Sequence, residues 1–385
     1  MISAGFSYVA ILLALAGGLK LLESKSQLKL FEFLPAIVIL YFSVMLLSTF
    51  GVWQQTEEIN TLYKALKSNI LPAMIFLMLL NADLRQIRKL GMKIIFAFLT
   101  ASITIGIAFV VAYALFLPMF EADSWKTFAA LSGSWMGGTG NMAAIQLALN
   151  VPDSSMGYTL LIDSIDYAIW VMLLLSLVPY SKHFDRWVGT NTDKLDEISQ
   201  KLGDKEQNTQ GDQTSPLLLL LGLSLAVSAT SQYFANMLPT SAFFTTTTWT
   251  VLMVTVIGVL CAMTPLSKLF GATELSNVML YLIVALIASR ANFAELTQAP
   301  TYILMGLVIL AIHGTLMLVA AKLFKFDLFT CGIASLANIG GVASAPILAA
   351  AYSRALIPVG VLMALLGYIV GTGGGLLVGK VLSLL

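Results

Sequence analysis

Asp163 and Asp166 stand in the run TLLIDSIDYAIW, three residues apart among apolar side chains. On a helix, i, i+3 spacing puts both carboxylates on one face. Two carboxylates inside a bilayer cost several kcal/mol unless they are paired, protonated or bound to a cation. Their mutual repulsion favours a proton on one of them. Such a pair can exchange H⁺ for Na⁺; the alternative is a structural network with Arg290 or His313. His313, mid-run in LVILAIHGTLMLV, reads either as a coupling group or as a packed, hydrogen-bonded histidine.

Upstream lies GSWMGGTGNMAAI (133–145), in which Gly133, Gly137, Gly138 and Gly140 surround Ser134, Thr139 and Asn141. Each glycine inside a helix costs about 0.5–1 kcal/mol relative to alanine. A break at Gly137–Gly138 would free N–H and C=O groups that hydrocarbon cannot satisfy, so it belongs in protein or beside a polar cavity. The freed helix N-terminus suits an anion, and the carbonyl end suits Na⁺. Ser134, Thr139 and Asn141 add neutral oxygens. Close helix packing is the plainer alternative, because Gly133 and Gly137 fit G-x-x-x-G.

The elements that carry these residues are membrane helices. Of 385 residues, 58% are hydrophobic and only 11% are charged. Soluble domains hold roughly 25% charged residues. Apolar runs fall near 3–22, 31–53, 69–83, 91–117, 126–150, 155–179, 216–237, 245–264, 274–291, 301–321, 328–352 and 355–380. This pattern predicts an all-α polytopic membrane protein. The first run has no basic leader or A-x-A site and reads as a retained span. Residues 180–215 are one-third charged and cannot bury a core, so they read as a polar linker. That divides the chain into a first repeat (1–179), the linker (180–215) and a second repeat (216–385). Cys261 and Cys331 sit in apolar runs and read as buried hydrophobes. A net charge of +1 predicts no nucleic-acid partner.

The two halves resemble each other. SNILPAMIFLMLLNADL (68–84) matches SNVMLYLIVALIASRANF (276–293) with one residue inserted, and GSWMGGTGNMAAI matches LANIGGVASAPIL (336–348). Gly137–Gly138 then align with Gly340–Gly341, and Asn338, Ser344 and Pro346 flank the second pair. Matched glycine- or proline-interrupted spans point to the site of a secondary transporter. Twelve simple crossings would make the halves parallel. Yet Lys and Arg collect in loops one and three (Lys25, Lys29; Arg85, Arg88, Lys89), then in loops eight and ten (Lys268; Lys322, Lys325). Those loops cannot share a side under twelve crossings. One span is miscounted or one segment does not cross; inverted repeats with eleven or thirteen spans are favoured.

No P-loop, H-E-x-x-H or C-x-x-C is present, so an enzyme is not expected and an ion gradient must drive transport. The glycine cluster GTGGG (371–375) predicts tight packing or a hinge. Asn81, Asp83 and Asn292 close the third and ninth runs, reaching a cavity or capping helix ends.

The glycine-pair motifs, with DSIDYAIW after the first, resemble the bacterial membrane family called domain of unknown function 819, over nearly the whole chain. That family is placed in the cation/proton antiporter and anion transporter superfamily, beside sodium/proton antiporters, bile acid–sodium symporters and sodium–glutamate symporters. The resemblance implies inverted repeats, a panel and a core domain, two broken helices crossing near mid-membrane, elevator motion and a homodimer in the bacterial inner membrane. In the antiporters the helix after the first crosser carries adjacent or near-adjacent acids; Asp163 and Asp166 hold that place at wider spacing. A basic residue precedes the second crosser there; His313 stands in that span.

The expected function is coupling of Na⁺ or H⁺ to movement of a small organic, anionic solute: a carboxylate, amino acid or short peptide. Asp163, Asp166, Thr139, Asn141 and Ser344 would bind the ion. Ser134, Gly137, Gly138, Asn338, Gly340 and Gly341 would bind solute. His313, Asn81 and Asn292 are candidate coupling residues. No cofactor beyond Na⁺ or H⁺ is expected. The rivals are a sodium/proton antiporter without organic substrate and a non-transporting membrane sensor or scaffold.

Overall fold

The computed structural model describes residues 1–25, 35–82, 84–190, 213–241, 243–293, 296–353 and 356–385. Among these it is helical, apart from one isolated bridge between Ile2 and Trp53. The first half holds α1 (Gly5–Lys25), α2 (Ala36–Thr49), α3 (Glu57–Leu80), α4 (Met92–Phe116), α5 (Ser124–Gly137), α6 (Thr139–Leu149), α7 (Met156–Leu177) and α8 (Ser181–Val188). The second half holds α9 (Thr214–Ala235), α10 (Thr246–Ala262), α11 (Ala272–Ala288), α12 (Ala299–Phe324), α13 (Leu328–Ile339), α14 (Gly341–Tyr352) and α15 (Ile357–Leu382). Of the expected linker, residues 191–212 lie outside the described residues.

Every apolar run in the sequence becomes a helix or a helix pair. The third helix begins at Glu57, twelve residues before the run at 69. Its first turn is polar, but the Thr56 side chain caps it by accepting from Ile59 N–H at 3.3 Å. Thr245 and Thr248 close a capping box at α10, and Asp327 caps α13 by accepting from Thr330 N–H at 2.7 Å.

The expected crossing helices require correction. The two broken segments do not run through; each folds back on itself. At the first break Gly138 adopts φ 91° and ψ 173°, which reverses the chain and which side chains do not tolerate. A Cβ on Gly133 of α5 would run into Ile145 of α6, and Ala129 and Leu149 both lie against Gly379. Residues twelve apart in a continuous helix would be about 18 Å apart. At the second break Gly341 has φ 55°. Gly332 of α13 then faces Leu348 of α14, and the Phe329 and Tyr352 rings stand 5.2 Å apart. The arms are 14 and 11 residues in the first hairpin and 12 and 12 in the second. At 1.5 Å per residue, none reaches the roughly 30 Å of a hydrocarbon core.

Seven helices are long and apolar enough to cross a membrane, and the shorter apolar helices α2, α10 and α11 run alongside them. Helix ends that touch give the directions. One end of the bundle collects Gly5, Glu58, Ser48 and Ser289. The first hairpin enters from this end, because Ser124 at the start of α5 bonds Tyr113 near the end of α4. The opposite end collects Glu23 with Ala36, Asn81 with Thr273, and Lys93 with Asp327. The second hairpin enters there. The seven long helices and the three shorter ones thus pack side by side among the described residues, with two folded-back hairpins between them.

Buried apolar residues form two clusters. One gathers α1, α2, α3, α9, α10 and α11 with most of α6. The other gathers α4, α12, α13, α14 and most of α5, α7 and α15.

Candidate ion and solute site

The hairpin tips meet around a cavity of about 160 Å³. Gly138, Thr139 and Ser134 of the first hairpin line it, as do Ile339, Gly340 and Ala343 of the second. Leu160, Asp163, Ser164 and Tyr167 of α7 form a third wall, and Pro35, Ile37 and Val38 at the start of α2 form a fourth. The cavity lies where the two apolar clusters meet: Leu160 belongs to the first and Ile339 to the second.

Asp163 is the carboxylate of this cavity. Ser134 Oγ donates to its Oδ1 at 3.0 Å, and Trp135 Nε1 donates to the same oxygen at 3.1 Å. The N-termini of α6 and α14 open at the tips, and no side chain caps either. Uncapped helix N–H groups are of the kind that suits an anion. Carbonyls ending α5 and α13, with the Thr139 hydroxyl and Asp163, offer oxygens that suit a monovalent cation. No group of three or more His, Cys, Asp or Glu side chains comes together among the described residues.

The family described as "protein of unknown function (DUF819)" matches residues 10–385. The chain belongs to this family. A Bacillus subtilis (strain 168) protein named "Uncharacterized membrane protein YjcL" is 24% identical over 339 residues, covering 83% of this chain and 84% of that protein. The DUF819 chain is therefore a multi-pass, all-α membrane protein, and the remaining candidate residues can be placed within it.

Asp166 does not share the cavity. It is fully buried on the α12 side of α7, and neither carboxylate oxygen has a hydrogen-bond partner. Its Oδ2 occupies the space that Gly306 leaves by lacking a Cβ. Three residues span about 300° of helix, so one broad face still splits between two neighbours.

Asn141 turns away from the cavity. Its Nδ2 donates to Gly137 O at 2.7 Å and its Oδ1 accepts from Thr372 Oγ1 at 2.6 Å, tying the first hairpin to α15. Gly137 packs against Gly367 and Gly371 of that helix. Asn338 is held in the core: Ser102 donates to its Oδ1 at 2.7 Å, and its Nδ2 donates to Ala334 O at 2.8 Å. Ser344 Oγ lies under Gly340 beside the Tyr167 ring, next to the cavity. Gly341 makes the second turn. Asn81 caps the end of α3 and Asn292 lies in the loop after α11, at opposite ends, accepting from Thr273 at 3.2 Å and Thr49 at 3.4 Å; Asp83 lies outside the described residues.

His313 is fully buried away from the cavity. Thr104 Oγ1 donates to Ala101 O at 2.9 Å, so it accepts from His313 Nδ1 at 2.9 Å. Trp170 Nε1 donates to Ser335 Oγ at 2.9 Å, leaving that hydroxyl to donate to His313 Nε2 at 2.8 Å. A neutral imidazole satisfies every partner in this chain. His313→Ala orphans two hydroxyls, and a loss of about 2–3 kcal/mol is expected in thermal or denaturant unfolding. His313→Gln should lose less.

Sequence reasoning missed Ser164, Tyr167, Trp135 and the start of α2. Trp135 sits inside the GSWMGG motif, and Tyr167 lies one turn after Asp163. Nothing in the sequence of Pro35–Val38 marks it as a cavity wall.

Proposed function

We propose that this protein is a secondary active transporter that couples Na⁺, or alternatively H⁺, to movement of a small organic anionic solute. The observation that carries the reading is the cavity between the hairpin tips, where one carboxylate, two uncapped helix N-termini and a hydroxyl converge. Na⁺ would sit at Asp163 and Thr139, and the solute carboxylate at the N-termini of α6 and α14.

Chain order supports inverted repeats. Each half runs three helices, a long helix, a hairpin and another long helix, and the two hairpins enter from opposite ends; the first hairpin differs in lending its α6 arm to the first cluster. The first cluster would be the panel and the second the core of an elevator that carries the cavity past α2. At one end a polar clamp joins the two bodies. Lys67 Nζ of α3 pairs with Asp153 Oδ1 at 2.5 Å, and Gln146 Nε2 of α6 donates to the same oxygen at 2.7 Å. Elevator motion must open this clamp. A homodimer built on the panel belongs to the same proposal.

Orientation follows from charge. Lys25, Arg85, Arg88, Lys268, Lys322 and Lys325 all fall at the end where the second hairpin enters. The positive-inside rule makes that end cytoplasmic in a bacterial inner membrane. Single cysteines at Lys25, Lys268 and Lys322, in a Cys261→Ala/Cys331→Ala background, should all resist an impermeant maleimide on intact cells; one at Lys126 should react. Lys25 and Lys322 on opposite sides would restore through-crossing helices.

Sodium/proton exchange without an organic solute is the second reading. Asp166 favours it, since a fully buried carboxyl without a partner is better satisfied by a proton than by Na⁺. A thermal-shift screen of small carboxylates and amino acids, with and without Na⁺, tests the leading reading. Stabilisation by a solute only when Na⁺ is present supports symport; Na⁺ effects that no solute changes support exchange.

A further inference from the structure

We propose that Trp135 is a positioning residue for the coupling cation. Its indole N–H, together with the Ser134 hydroxyl, ties Oδ1 of Asp163 to the tip of the first hairpin and leaves Oδ2 to take the ion. This rests on the reading of Asp163 as the cation group.

The indole N–H is a donor only, and when buried it needs an acceptor. Three other indoles of the described residues donate to neutral acceptors. Trp53 donates to Ser289 O at 3.1 Å, Trp170 to Ser335 Oγ at 2.9 Å and Trp249 to Pro239 O at 2.9 Å. Trp135 instead donates to a carboxylate at 3.1 Å. The ring is fully buried and packs edge-on against Phe109 of α4, with centroids 5.5 Å apart at 69°. That packing fixes where the N–H points.

Both donors act on one oxygen. Ser134 reaches Oδ1 at 3.0 Å, and Oδ2 has no hydrogen-bond donor among the described residues. Asp163 is also a cavity wall. Groups that hold a ligating carboxylate by its other oxygen fix its orientation, and their loss typically costs about 10–100-fold in metal affinity. Ser134 and Trp135 lie in the last turn of α5, so the same bonds join the ion site on α7 to the hairpin that must move with it.

Trp135→Phe keeps an aromatic ring against Phe109 and removes the N–H. The measurement is a Na⁺ titration of purified protein, read by tryptophan emission and by the unfolding temperature, with choline chloride holding ionic strength. In the wild type, Trp135 emission should shift as Na⁺ fills the site. In Trp135→Phe the shift should vanish and half-saturating Na⁺ should rise about tenfold or more, beside a Na⁺-independent loss of stability from the smaller buried ring. Ser134→Ala leaves all ring packing in place and should raise half-saturating Na⁺ in the same direction, so it serves if Trp135→Phe fails to fold. Wild-type half-saturation in folded Trp135→Phe overturns the proposal, as does wild-type half-saturation in Ser134→Ala where Trp135→Phe does not fold. If the wild type has no Na⁺ response, or Asp163→Asn keeps it, the reading of Asp163 fails instead. The two failures are therefore distinguishable.

Discussion

Asp163→Asn is expected to abolish the stabilisation of this protein by Na⁺ and to stop Na⁺-driven transport, whereas Asp166→Asn is expected to keep the Na⁺ response. Na⁺ at about 100 times its dissociation constant stabilises a one-site protein by about 2.7 kcal/mol. That increment should fall to near zero in Asp163→Asn, because the substitution replaces the cavity's carboxylate with a neutral amide. Asp166 faces Gly306 and has no oxygen partner to share an ion with. Asparagine there matches the shape of an uncharged carboxylic acid. Thermal unfolding in detergent, in sodium against choline chloride, checks both variants. The site assignment does not survive if Asp166→Asn loses the Na⁺ shift and Asp163→Asn retains it.

Gly375→Leu should be the most damaging single change to stability. Gly367, Gly371, Gly375 and Gly379 repeat every four residues along α15 and form its contact stripe against the first hairpin. A Cβ on Gly375 would stand 2.9 Å from Gly133 Cα and 3.0 Å from its N, and one on Gly371 would stand 2.7 Å from Gly137 Cα. Those neighbours are backbone and cannot rotate away. Overpacking typically costs about 1–3 kcal/mol, occasionally more, and a backbone collision with a leucine behind it belongs at the upper end. The hairpin tip would move with the displaced arm, so transport should fall as well. Gly373 on the same helix has open space where its Cβ would be. Gly373→Ala should therefore be neutral or slightly stabilising, since alanine is the better helix former. Midpoints of thermal unfolding for the two variants give the contrast; equal effects would mean that the stripe is not the packing contact.

Much of this architecture can be read from hydrophobic runs, because each one must bury itself in lipid or protein and does so as a helix. The breaks at Gly138 and Gly340–Gly341 are legible for the same reason: glycine pairs beside polar residues do not belong in a plain span. What composition does not encode is the direction taken after a break. A through-running and a folded-back pair have the same apolar content, and only arm length and the positive φ of Gly138 and Gly341 separate them. The basic loops held the missing information. Lys25 and Lys322 can share a side only if a segment such as 126–150 returns to the end it entered, and the hairpins supply that return. Within the site, Asp163, Ser134, Thr139, Gly138 and Gly340 come together as their motifs implied. Asn141 and Asn338 do not, because an amide buried at a hairpin arm finds backbone carbonyls and hydroxyls of the packed neighbour first. Asp166 shows how coarse a shared helical face is as a guide to a shared ligand.

The most direct test of transport through this cavity is ²²Na⁺ flux into proteoliposomes. Wild-type and Asp163→Asn protein would be compared with and without a panel of small carboxylates and amino acids, with an entrapped pH dye. The expected result is ²²Na⁺ entry that rises when one of these solutes is supplied, with no proton movement on a Na⁺ jump alone and no flux in the Asp163→Asn vesicles. Wild-type vesicles that pass neither Na⁺ nor protons under any of these conditions, or Asp163→Asn vesicles that carry Na⁺ as well as wild type, would contradict it.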